Sequence, residues 1–157
     1  MKFLLSALFL LFSNLALAIT PTPVNIIDPY VRAIAPGLTV SAAFMTLQNK
    51  SDTDIALVKI EGTIAKHIEL HQHIHKDGMM QMRQVKKIDI PANTSVELKP
   101  SGYHIMLIGL TKKIKQDDEI ELQLVFSDDS KQRVKTKVMS IEQVMEKQKE
   151  KEKNLIK

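Results

Sequence analysis

Between Val24 and Met139 the chain is broken every few residues by turn-forming side chains, and no long amphipathic helix fits between the breaks. β-like runs lie at Val24 to Ile34, Thr39 to Gln48, Ile55 to Glu61, Ala65 to His75, Met80 to Ile88, Thr94 to Leu98, Tyr103 to Leu110, Glu119 to Phe126 and Arg133 to Met139. Pro36-Gly37, Asn49 to Asp54, Gly62, Asp77-Gly78, Pro91 to Asn93, Pro100 to Gly102, Gln116 to Asp118 and Ser127 to Ser130 separate them. Many short strands with regular turns predict an all-β, antiparallel sandwich or barrel. Periodicity alone leaves both shapes open.

The core of such a fold has to be aliphatic, because aromatic residues make up only 4% of the chain and Trp is absent. A length of 157 residues suits one domain. Residues 1–18 read as an export signal: Lys2 gives the positive start, Phe3 to Phe12 is almost continuously apolar, and Ala16-Leu17-Ala18 offers a small-x-small cleavage pattern. The expectation is a soluble periplasmic protein starting at Ile19, with no stable membrane insertion once the signal is cleaved. The β domain is expected over 19–140. Ser140-Ile141-Glu142-Gln143 fits a capping box, so a short polar helix can open the Lys/Glu-rich stretch 141–157. Its apolar face fades after Met145, and a frayed tail is the expectation there.

The formal charge of +4 is small, with Lys and Glu interspersed. Arg does not alternate with aromatic residues, and no nucleic-acid motif is present, so a DNA or RNA binder is excluded. The chain has no Cys, which removes disulfides, thiolate metal sites, thiol nucleophiles and lipid attachment through an N-terminal Cys. Blue-copper electron transfer and thiol–disulfide exchange go with them. Metal chemistry is left to His, Met, Asp and Glu.

Four of the five His residues fall at His67, His71, His73 and His75, with Glu69 among them, while Ile68, Leu70 and Ile74 take the even positions. On a strand this sends the imidazoles to one face and the aliphatic groups to the core. Asp77-Gly78 is a strong hairpin signal. With those two at the turn centre, His75 faces Met80, His73 faces Met82 and His71 faces Gln84. Tyr103-His104-Ile105-Met106 puts His104 and Met106 on one face of a further strand. Neutral imidazole and thioether donors suit Cu(I), whereas Mg and Ca want hard oxygen ligands. A lone Met is usually core filler and a lone surface His usually has no role, so His67, His73, His75 and Met80 are given at most an auxiliary metal role. His71, Met82, His104 and Met106 are four soft donors on two segments.

The spacing of those four donors, with ten residues between His71 and Met82, twenty-one between Met82 and His104, and Ile105 alone before Met106, resembles the signature of the periplasmic PCu(A)C copper chaperones. Glu69-Leu70-His71, Asp77 to Arg83 and His104 to Leu110 resemble blocks of the same family, as do Tyr30-Val31-Arg32 with Pro36-Gly37 and Ala43-Phe44-Met45 with Asn49. The likeness runs from about Val24 to Met139.

The resemblance implies a cupredoxin-like Greek-key β-barrel, non-enzymatic, that binds one Cu(I) at an exposed site of His71, Met82, His104 and Met106. It further implies delivery to the copper centres of cytochrome c oxidase, with an oxidase subunit or another periplasmic copper chaperone as partner. Gln72 stands where some members have Met, and the hairpin register puts His73 rather than His71 opposite Met82, so the first His ligand stays open between the two. Two other functions also stay open: a Cu(II) or Zn(II) buffer on the His-rich strand, which would give a secondary Cu(II) site, and a copper redox enzyme using those imidazoles.

Overall fold

The computed structural model describes residues 23–76 and 79–155. The export-signal reading and the Asp77-Gly78 turn centre lie outside the described residues. Ten strands and one helix follow in order: β1 Val24–Arg32, β2 Val40–Asn49, β3 Ile55–Glu61, β4 Ala65–Lys76, β5 Met79–Gln84, β6 Ile88–Ile90, β7 Ser95–Leu98, β8 Tyr103–Leu110, β9 Glu119–Phe126, β10 Lys131–Met139 and α1 Ile141–Leu155.

The strands hydrogen-bond in the order β5-β4-β8-β7-β2-β1-β10-β9-β3-β6, with β8 also beside β2. Among the described residues, only β1–β10 and β7–β8 pair in parallel. One core takes Leu70, Ile105 and Leu107 from β4 and β8 together with Leu57, Ile88 and Ile90 from β3 and β6. These strands stand near opposite ends of the strand order, so the sheet curls until its apolar sides meet. The result is the cupredoxin-like all-β architecture expected from the sequence. Each fully buried Leu or Ile contributes about 1.5–3 kcal/mol, and the core is aliphatic apart from Phe126 and Met45.

β2 ties the site to the rest of the barrel. Its first half, Val40 to Ala43, pairs with β8, and its second half, Met45 to Gln48, pairs with β7. Beside it, β1 carries a bulge between Ile27 and Tyr30. Asp28 sits there at φ 51°, a left-handed conformation that Asp tolerates better than most residues. The bulge leaves Tyr30 opposite Phe44.

Two expectations are corrected. The run Met80 to Ile88 is two strands: β5 pairs with β4, while β6 pairs with β3 at the far end of the order. Met80 and Met82 are exposed and Ile88 and Ile90 buried, although all four have the same parity. A single strand cannot point one parity both ways, so the chain breaks after Gln84. The frayed tail is instead a helix from Ile141, docked by its first turns. Val144 is buried, and Lys147 Nζ lies 2.8 Å from Asp28 Oδ1. The capping box is present, with the Ser140 N–H donating to Gln143 Oε1 at 3.0 Å and the Gln143 N–H donating to Ser140 Oγ at 3.3 Å.

Candidate metal centre

β4 alternates as its sequence requires. Leu70 is buried in the core, while Glu69, His71 and His73 stand half-buried on the outer face. Register then assembles the neighbours. His71 is opposite His104 and Glu69 opposite Met106 on β8, and His73 is opposite Met82 and His75 opposite Met80 on β5. The hairpin pairing inferred from the sequence is therefore the observed one. His71, Met82, His104 and Met106 come from three adjacent strands and share one face. His67 pairs with Ile108 and is exposed. It lies four residues, about 13 Å of strand, from His71 and outside the cluster.

His104 is the inner member. It is only 2% exposed, although it lies on the outer face, because other rings cover it. The centroids of His73, His71 and Phe44 are 5.0, 5.9 and 6.4 Å from its own. Burial within the cluster is thus uneven, with His104 covered and Met82 open to solvent. Burial, with smaller contributions from the charges of His73, His71 and Arg32, pulls the His104 pKa down despite its bond to the Gly102 carbonyl.

Hydrogen bonding settles which ring nitrogens are free. His104 Nδ1 is 3.0 Å from Gly102 O. A carbonyl oxygen only accepts, so Nδ1 carries the proton and Nε2 of the neutral ring keeps its lone pair. His71 Nε2 is 2.8 Å from Glu69 Oε2. The carboxylate takes that N–H, which leaves Nδ1 of the neutral ring as the lone-pair nitrogen. His71 Nδ1 is buried with no hydrogen-bond partner, and so is His73 Nδ1. A buried acceptor without a donor costs about 1–3 kcal/mol. A cation is one group that relieves such a cost.

The sulfur donors differ in access. Met82 is 54% exposed, and Met106 is half-buried beside Glu69. Among the described residues no three His, Asp or Glu side chains form a metal-holding group. Two contributors were not identified from sequence: Glu69, which holds His71, and Phe44, which roofs His104. The i, i+2 relation of Glu69 to His71 was the available signal for the first. The Phe44 contact depends on β2–β8 register, which the sequence does not display.

The comparisons agree with this architecture. The LpqE-like lipoprotein family matches residues 24–138, and the chain belongs to that family. It is 32% identical over 108 residues to Lxx21020 of Leifsonia xyli subsp. xyli, named as a lipoprotein, with 68% of this chain and 64% of the other aligned. It is 30% identical over 122 residues to RP573 of Rickettsia prowazekii, with 73% and 66% aligned. The chain thus spans slightly under two thirds of the length of these curated relatives.

Among solved structures, Cu(I)-bound DR1885 from Deinococcus radiodurans is 33% identical with a TM-score of 0.63, covering 74% of this chain and 78% of that one. The copper-bound PCuAC domain of PmoF2 has a TM-score of 0.63 at 20% identity, covering 75% of this chain and 93% of that one, and speaks to the fold. The fold is that of the PCuAC domains. The sequence contains no Cys. Among the described residues, no helix is long and apolar enough to cross a membrane.

Proposed function

We propose that this protein is a non-enzymatic Cu(I) metallochaperone of the periplasm. It holds one ion with His71, Met82, His104 and Met106 and passes it to the copper centres of cytochrome c oxidase. The observation that carries the reading is the buried, unpartnered Nδ1 of His71 on the residue paired with His104. The Nε2 of His104 is left free by its bond to Gly102. The relatedness to the Cu(I)-bound structure of DR1885 supports the choice of cargo.

The donor chemistry fits carriage. Imidazole and thioether are neutral, so a monovalent soft ion is held without charge pairing, and Met needs no deprotonation. Glu69 on His71 and the Gly102 carbonyl on His104 are the outer partners that fix ring orientation in histidine metal sites. Met82, the most exposed of the four donors, is the ligand an acceptor reaches first. Transfer then proceeds by exchanging one donor at a time, starting from that side.

The test is an anaerobic competition against a Cu(I) chelator. Met82→Leu combined with Met106→Leu lowers Cu(I) affinity by at least a hundredfold, and unchanged affinity refutes the assignment. The choice between His71 and His73 is read the same way: His71→Asn costs at least tenfold and His73→Asn less. Delivery is checked by mixing loaded protein with the apo soluble copper domain of an oxidase subunit, where no movement of metal leaves storage as the function.

A further inference from the structure

Beyond those four donors, the tip of the β4–β5 hairpin repeats the same chemistry. His75 is directly opposite Met80, and its Nδ1 lies 3.5 Å from Met80 Sδ. A thioether sulfur is a weak hydrogen-bond acceptor, so that contact has little value as a hydrogen bond. As a pair of metal donors it is well placed. With bonds of about 2.0 Å to nitrogen and 2.3 Å to sulfur, atoms 3.5 Å apart subtend roughly 110° at a shared ion.

The surroundings select the kind of ion. Met80 is 56% exposed, and one pair further along the hairpin His73 faces Met82. Among the described residues no His, Asp or Glu trio gathers there to make a harder site. One nitrogen and one sulfur, both uncharged and open to solvent, favour a soft monovalent ion of low coordination number over Zn(II) or Cu(II).

We propose that His75 and Met80 form a second Cu(I) site at the hairpin tip, weaker than the four-donor one and one cross-strand pair away from its outermost donor, Met82. The strand surface then carries a graded row of soft donors. An ion captured at the tip has His73 and Met82 as its next neighbours on the way to His104, and the reverse order serves release. The second site uses none of the four donors assigned above and shares only the premise that the cargo is Cu(I).

The experiment is an anaerobic Cu(I) titration of the full chain, followed by the methyl resonances of the Met side chains and the ring resonances of the His side chains. The expected result is two equivalents bound, the first moving Met82 and Met106 and the second moving Met80 and His75. His75→Asn combined with Met80→Leu removes the second equivalent, or weakens it at least tenfold, and leaves the first in place. A Met80 signal that stays still in excess Cu(I), or a double variant that still takes two equivalents, overturns the second site. If Met80 and His75 move while Met82 and Met106 do not, the second site stands and the four-donor reading fails.

Discussion

His104, a donor in the proposed site, has its geometry and protonation fixed by the fold alone. Its ring is covered by three neighbours, its Nδ1–H is used by Gly102, and its pKa is depressed by burial. The folded chain therefore binds the His104 proton less readily than the unfolded chain does. Stability contributed by this group is present above the ordinary histidine value of about 6.5 and is lost as the pH falls through that value toward the lower folded one. His104→Gln is expected to flatten the apo protein's loss of stability in that window, measured by denaturant midpoints at pH 7.5 and 5.5. Glu69→Gln keeps the shape but not the charge, and an outer partner of this kind is worth about 10–100-fold in metal affinity. The chelator competition should show a loss in that range with the fold intact. At this scale the sequence was informative about which side chains share a face and poor about their depth. The identities and parity of His71, His104, Met82 and Met106 were readable from spacing. The burial of His104 was not, because Phe44 reaches it from a strand sixty residues earlier in the chain.

The β4–β5 hairpin and the C-terminal helix show two different limits of reading elements from pattern. The hairpin register was recoverable because the sequence Asp77-Gly78 is a strong turn signal and the two-residue period does the rest. The break before β6 was missed because Met and Ile both count as apolar, although here exposed Met and buried Ile mark opposite sides. For α1, the fading apolar stripe after Met145 suggested fraying, yet one buried Val144 and the Lys147–Asp28 pair hold its first two turns. The cap adds to this. Ser140→Ala removes the acceptor for the Gln143 N–H and should cost about 1 kcal/mol, read as a lower midpoint in a urea titration. Copper affinity should not change, since Ser140 touches none of the donors. A parallel loss of Cu(I) affinity would mean that the helix supports the metal face.

For the molecule as a whole, cargo and stability are coupled. The proposed ligands come from β4, β5 and β8, so an ion joins three strands that backbone bonds already pair. A ligand that binds only the folded state stabilises it by about 2.7 kcal/mol when present at a hundred times its Kd. Cu(I)-loaded protein should therefore melt several degrees above the apo form, and a double Met82/Met106 variant should lose most of that difference in a thermal scan. The all-β class was legible because turns recur so regularly. The strand order was not, since alternation says which way a side chain points and never which strand lies beside it. The register of β1 on β2 has a geometric consequence of its own. The donors cluster near the Tyr30–Arg32 end of β1, by way of Phe44 and Ala42 on β2, whereas Val24 begins that strand at the opposite pole, roughly 25 Å away at 3.3 Å per residue. Anything that tethers this chain through its leading end holds the cargo pole outward, toward whatever comes to collect it.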